Sequence, residues 1–242
     1  MDGVRAHALL TGTLAAAIAA AMPALVVGTA LWVAVNPWLV EFQYALPGFP
    51  DDGYGLDGEE RAGLAVSGLR SIRPLDDGTG LLREARLPDG TAAFTEREIS
   101  HMDDVRGVVS GFVAAWAVAL AVLVVAAVAL VRVGATGAVL RGVGRGGVLT
   151  LGLFALVGVG ALVDFDGFFT AFHGVFFEAD TWRFERTDTL LRLYPETFWV
   201  VATGVMVALV VGQSVAMVLL SRRRRGAGRE RQPLSGGVAS SP

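Results

Sequence analysis

The sequence predicts an all-α membrane protein with four transmembrane helices, a small α+β extracytoplasmic cap and an interfacial or re-entrant helix. Two observations indicate this fold class. Of the 242 residues, 53% are hydrophobic, and four long runs contain no Asp, Glu, Lys or Arg. The charged residues lie between these runs, and the sign of their net charge alternates from one connection to the next.

The uncharged runs are residues 6–40, 107–131, 146–163 and 197–221, with lengths of 35, 25, 18 and 25 residues. A helix needs about 20 apolar residues to cross a bilayer core, so each run allows one crossing. We predict spans at about 8–36, 105–131, 146–164 and 197–220. The first run exceeds the apolar part of a signal peptide, which has about 7–15 residues, and is therefore predicted to be an uncleaved span.

The arginines predict the orientation in the cell membrane. The N-terminus, residues 132–145 and the tail 221–242 hold ten arginines and two acidic residues. Residues 41–104 and 164–196 hold nine arginines and twenty-one acidic residues. Short positive segments stay in the cytoplasm, so we expect cytoplasmic termini and two extracytoplasmic loops. The net charge of −3 hides this asymmetry and does not indicate a nucleic-acid partner.

The cap is predicted from two helix starts and a hairpin. Asp57 with Glu60, and Thr95 with Glu98, have the spacing of capping boxes. Between them, residues 81–94 have the pattern of a strand, a Pro-Asp-Gly turn and a second strand. No Pro or Gly follows Thr95 until residue 107, so we expect one helix to run from the cap into the second span.

Two glycine-rich stretches receive different interpretations. Residues 134–147 lack the Gly-Lys-Ser/Thr ending of a phosphate-binding loop and are predicted to be a flexible connector. Gly152, Gly158 and Gly160 are predicted to be helix-packing positions in the third span.

His101 lies in the segment FTEREISHMDDV, residues 94–105. On a helix, Arg97, Glu98 and Asp104 share its face. A carboxylate there could hold one imidazole nitrogen and leave the other free, as in catalytic or metal-bound histidines. The alternative is an interfacial anchor whose hydrogen bond is satisfied by Glu98.

His173 lies in the segment FDGFFTAFHGVFF, residues 165–177. Asp166, Thr170 and His173 form a polar stripe on a helix otherwise covered by phenylalanines. Such a helix would lie in the membrane interface or dip into the bundle. An aromatic belt would explain the phenylalanines but not the aligned Asp and His, since polar groups at that depth are costly unless used or paired.

The residue types limit the chemistry. The chain has no Cys, which excludes thiolate chemistry, and it has no Gly-x-Ser-x-Gly motif. An enzyme would therefore take its nucleophile from the substrate or from water, with histidine as acid and base. A metal-dependent hydrolase using His101, His173 and a carboxylate is the rival, but no clustered metal motif supports it, so no metal or other cofactor is predicted. Transport is disfavoured because the spans lack a mid-depth ionisable group.

The two histidine segments, with Trp182-x-Phe184 and LYPETF at residues 193–198, resemble a family of four-span integral membrane proteins. This family includes the bacterial lipoprotein intramolecular transacylase, and the resemblance covers about residues 8–220. It implies transfer of the sn-2 acyl chain of a diacylglyceryl-cysteine onto the α-amine of that cysteine. The implied partners are membrane lipid and a diacylated lipoprotein. A non-enzymatic membrane protein that binds lipid or an envelope partner is the alternative.

The resemblance also implies a site. His101 and His173 would be the catalytic pair, one deprotonating the amine and the other protonating the departing glycerol oxygen. Arg97 would stabilise the oxyanion. Which histidine is the base is left open, but both should lie within about a water-bridged distance of each other. The remaining candidates are the supporting residues Glu98, Asp104 and Asp166, and the cleft residues Phe169, Phe172, Phe176 and Trp182.

Overall fold

A computed structural model describes residues 2–178 and 181–229, without the side chains of residues 161, 162, 165, 166, 169 and 224–229. In this part of the chain, the regular elements are all helices. They are α1 (Asp2–Ala34), α2 (Trp38–Tyr44), α3 (Gly58–Ile72), α4 (Gly80–Glu84), α5 (Glu96–Arg132), α6 (Thr136–Val163), α7 (Phe165–Phe176), α8 (Thr189–Leu193) and α9 (Glu196–Arg229).

Four of these helices are long and apolar enough to cross a membrane. They are α1, α5, the Thr136–Gly160 part of α6, and the Glu196–Arg223 part of α9. α1 and α6 each pack against the other three spanning helices. The chain is thus a multi-pass membrane protein.

The predicted flexible connector is wrong, because residues 136–147 belong to α6. Gly134, with φ of 74°, ends α5 in the left-handed conformation that favours glycine, and α6 begins two residues later. Four glycines of this stretch lie against α1 or α9 and are packing positions: Gly142, Gly144, Gly146 and Gly147. A Cβ on Gly142 would lie 2.7 Å from the Ala15 carbonyl oxygen of α1, and one on Gly147 would lie 2.8 Å from the Ser214 carbonyl oxygen of α9.

Gly152, Gly158 and Gly160, predicted to mediate packing, have no other side chain or backbone within 4 Å of an added Cβ. That prediction was wrong because the helices pack closely near the start of α6 and not along its second half. The close approach of backbones at α6 follows the small-residue pattern of membrane helix pairs, but about two turns earlier than expected.

The predicted α+β cap is also wrong, because the described residues contain no strand. Residues 80–84 form α4, and the hairpin is reduced to one isolated bridge between Arg86 and Ala92. Leu, Arg and Glu in this stretch are good helix formers, and the helix buries Leu82 in the cap core. The Pro-Asp-Gly turn therefore joins segments too short to pair further.

The cap, formed by α2, α3, α4 and α8 with their connections, shares one hydrophobic core with the adjacent ends of α5 and α9. Leu39, Leu69, Leu82, Ile99 and Phe198 are among the residues buried in it. Because the core includes residues of α5 and α9, the cap is part of the membrane domain and not a separate unit.

Buried charges join the distant parts of the cap. The Arg192 guanidinium donates two hydrogen bonds to Asp52, at 3.0 and 2.9 Å, and both side chains are almost inaccessible. Arg61, also buried, donates to the carbonyl oxygens of Arg192 and Pro50. These bonds hold α8 against the loop that precedes α3.

α5 connects the cap to the membrane, as predicted. Its first turn has the capping box formed by Thr95 and Glu98, and the helix continues without interruption to Arg132. Arg106 donates to the carbonyl oxygens of Ser71, Arg73 and Asp76, which ties the end of α3 to this helix. The backbone of α5 is therefore fixed before His101 by the capping box and after it by the hydrogen bonds of Arg106.

Candidate functional site

His101 lies in the second turn of α5, between two phenylalanine rings. Its ring centroid is 5.1 Å from that of Phe177 and 5.3 Å from that of Phe184. Its Nδ1 is buried and has no hydrogen-bond partner among the described residues. A ring nitrogen without a hydrogen-bond partner is available to accept or donate a proton.

His173 lies on α7, the separate short helix expected before the last span. Its ring is 4.5 Å from that of Trp182 and 5.7 Å from that of Phe177, measured between centroids. Phe177 therefore contacts both imidazoles. The two histidines are also close enough to interact electrostatically. The fold thus brings together two residues that are 72 positions apart in the sequence.

Glu98 does not hold the His101 imidazole in this structure. Its carboxylate accepts hydrogen bonds from the Thr95 backbone at 2.7 Å and from the Leu190 backbone at 2.8 Å. It therefore caps α5 and attaches α8 to it. The interpretation of His101 as an anchor satisfied by Glu98 does not match this arrangement. Asp104 is exposed and close enough to His101 to interact electrostatically.

Arg97 contacts the ring that covers His101. Its guanidinium forms an ion pair with Asp188, with an N–O distance of 2.8 Å, and lies 5.0 Å from the centre of the Phe184 ring. Arg97 and His101 are one turn apart on α5, and Phe184 contacts both.

The cleft candidates include partly exposed aromatic rings on α7. Phe172 and Phe176 are 46% and 37% exposed, so they can contact a ligand. Phe176 lies 6.3 Å from Phe112 between ring centroids, which connects α7 to α5. The predicted side chains of Asp166 and Phe169 lie outside the described residues.

Sequence reasoning did not select Phe177 or Phe184, which contact His101 directly. A signal was present in the Trp182-x-Phe184 spacing. In the structure Trp182 contacts His173 and Phe184 contacts His101. Within the residues that the structure describes, no three His, Cys, Asp or Glu side chains are placed to hold a metal ion together.

The fold and the site define a four-span membrane protein whose cap and bundle enclose two histidines among aromatic rings. Residues 81–199 match the family described as lipoprotein intramolecular transacylase Lit. A protein of Aquifex aeolicus (strain VF5), named only as uncharacterized, is 33% identical over 177 residues, covering 73% of this chain and 78% of the relative. The chain therefore belongs to the Lit family.

Solved structures show the same fold. The membrane-integral transacylase Lit of Bacillus cereus, in a form with one histidine replaced by arginine, superposes with a TM-score of 0.72 at 16% identity, covering 96% of this chain and 99% of the other. A second crystal structure of the Bacillus cereus protein gives a TM-score of 0.67 at 18% identity, covering 92% and 97%. At this identity the likeness concerns the fold alone.

Proposed function

We propose that this protein is a lipoprotein transacylase that moves the sn-2 acyl chain of a diacylated lipoprotein onto its N-terminal cysteine amine. The observation that supports this most directly is the pair of imidazoles against one phenylalanine ring, His101 and His173 at Phe177. Family membership supplies the substrate class, and the partly exposed phenylalanines of α7 suit acyl chains.

The reaction needs only the substrate and two proton carriers. The amine nitrogen forms a bond to the ester carbonyl carbon, and the bond from that carbon to the glycerol sn-2 oxygen breaks. One imidazole takes the proton that the amine loses, and the other gives a proton to the departing glycerol oxygen. Proton transfer of this kind contributes about 10²–10⁴-fold to rate when the groups are well positioned.

In this proposal both termini are cytoplasmic and the histidines face the outside, with crossings near residues 8–36, 105–131, 146–164 and 197–220. The arginine asymmetry supports this orientation. We expect a reporter fused after Ser221 to behave as cytoplasmic and one inserted near Gly78 as exported. An exported signal from the Ser221 fusion would contradict the orientation.

The activity can be tested with purified protein and a synthetic diacylated lipopeptide. Because the transfer is intramolecular, the product has the mass of the substrate, and the cysteine amine no longer reacts with amine reagents. Tandem mass spectrometry should find one acyl chain on nitrogen and a free hydroxyl on glycerol. Free fatty acid with an unmodified amine would instead indicate hydrolysis, and an unchanged lipopeptide would favour a lipid-binding role.

A further inference from the structure

The Phe184 ring lies between two side chains of the same face of α5. Arg97 and His101, four residues apart, share that face. The Arg97 guanidinium lies 5.0 Å from the ring centre, and the His101 ring centroid lies 5.3 Å from it. Phe184 belongs to the irregular segment between α7 and α8, so no regular hydrogen-bond ladder fixes its position.

Asp188 connects this segment to Arg97. Its Oδ2 accepts one hydrogen bond from Arg97 at 2.8 Å and one from the Glu185 backbone at 2.7 Å. The Arg97 side chain is 51% exposed, and ion pairs with this much exposure contribute little to global stability. The effect of the pair is therefore local, on the residues between 184 and 188.

We propose that Arg97, paired with Asp188, is a positioning residue that holds Phe184 against the His101 imidazole. This inference rests on the proposed transacylase function and assigns Arg97 a role other than oxyanion stabilisation. By holding the ring in place, Arg97 keeps water away from His101 and keeps the imidazole in one orientation. A guanidinium suits both contacts, because its plane can stack on an aromatic ring while its N–H groups bind a carboxylate.

Other bonds keep α8 attached when the ion pair is lost. Thr189 donates to the Ala93 carbonyl oxygen at 2.5 Å, and the Leu190 N–H donates to Glu98 at 2.8 Å. Loss of Arg97 should therefore release Phe184 without detaching α8 or unfolding the cap. A change at His101 in an Arg97 variant whose cap remains folded can therefore be assigned to the position of Phe184.

The test uses the full-length protein in detergent and the variants Arg97→Gln, Arg97→Lys and Phe184→Ala, together with the double variant Arg97→Gln/Phe184→Ala. The exposed ion pair of Arg83 and Glu96, at 2.6 Å, lies at the start of the same helix and supplies the control Arg83→Gln. Three quantities are measured: the thermal midpoint, the rate of acyl transfer, and the rate at which diethyl pyrocarbonate modifies His101, followed by peptide mass spectrometry.

We expect Arg97→Gln to raise the modification rate of His101 several-fold and to lower acyl transfer on the order of 10-fold, since small displacements of positioned groups are costly. Arg97→Lys, which keeps the charge but cannot stack a planar group on the Phe184 ring, should recover only part of both. The double variant should match Phe184→Ala, because the two residues act as one unit. Arg83→Gln should resemble the unmodified protein. The thermal midpoint should change little in the single Arg97 and Arg83 variants, whereas Phe184→Ala should lower it, because Phe184 packs against the cap core.

Unchanged modification of His101 in Arg97→Gln, alongside faster modification in Phe184→Ala, would overturn the positioning role. So would additive losses in the double variant. If the modification pattern is as expected but no protein transfers an acyl chain, the positioning role stands and the proposed function fails. The two ideas are therefore distinguished by one set of variants.

Discussion

Replacing either histidine by glutamine should lower acyl transfer on the order of 10²-fold or more, because glutamine keeps hydrogen bonding but cannot carry a proton at neutral pH. We expect His101→Gln, His173→Gln and the corresponding alanine variants to be similarly impaired. The double variant should be scarcely slower than the poorer single variant, since groups that act as a unit are non-additive. The measurement is the initial rate of amine acylation with the synthetic lipopeptide.

The third histidine provides the matched control. His7 is exposed near the start of α1, and the site histidines lie on α5 and α7. His7→Gln should transfer acyl chains at the unmodified rate. Near-normal rates in both His101→Gln and His173→Gln would remove the acid–base mechanism and leave lipid binding as the better explanation of the cleft.

The second large effect is expected at the buried pair of Asp52 and Arg192. Removing one partner of a buried ion pair leaves the other charge without compensation, which typically costs about 3–5 kcal/mol. Asp52→Ala should therefore lower the free energy of unfolding by about that amount. Glu96→Gln, at the exposed pair with Arg83, should cost less than about 1 kcal/mol. An equal loss of unfolding free energy in Asp52→Ala and Glu96→Gln would contradict the expectation that the buried pair contributes more to stability than the exposed one.

The pH dependence of this contribution follows from the Asp52 carboxyl. The hydrogen bond from Arg192 lowers the pKa of Asp52 to about 2, below the usual value of about 3.9. A group with a lowered pKa stabilises the folded state above its unfolded value, and loses that contribution as the pH falls through the folded value. The difference in unfolding free energy between the unmodified protein and Asp52→Ala should thus be constant above about pH 5 and shrink toward pH 2.

Local patterns in the sequence predicted what is local in the structure. The runs without charge correspond to α1, α5, α6 and α9, and both capping boxes are present at Asp57 and Thr95. These signals depend on residues within a few positions of one another. The strand prediction for residues 81–87 was wrong, because residues 80–84 form α4, which buries Leu82 in the cap core.

The composition of the site depended on contacts that no local pattern contains. Arg97 and Glu98 were selected as neighbours of His101 on one helix face, but their partners, Asp188 and Leu190, lie more than 90 residues away. Because of these partners, Arg97 forms an ion pair with Asp188, and Glu98 attaches α8 to α5. Phe184 likewise contacts His101 although the two residues are 83 positions apart in the sequence. Sequence spacing could place the histidines on helices but could not identify the rings that enclose them.

The most direct measurement of the central claim is tandem mass spectrometry of lipoprotein N-termini from host cells that otherwise make only diacylated lipoproteins. Cells expressing the unmodified protein should yield N-acylated cysteine with a lyso-glyceryl group. Cells expressing the His101→Gln/His173→Gln variant at equal membrane abundance should yield the diacylglyceryl form with a free amine. Diacylglyceryl cysteine in both cultures, or the lyso form in both, would contradict an acyl transfer carried out by the two histidines.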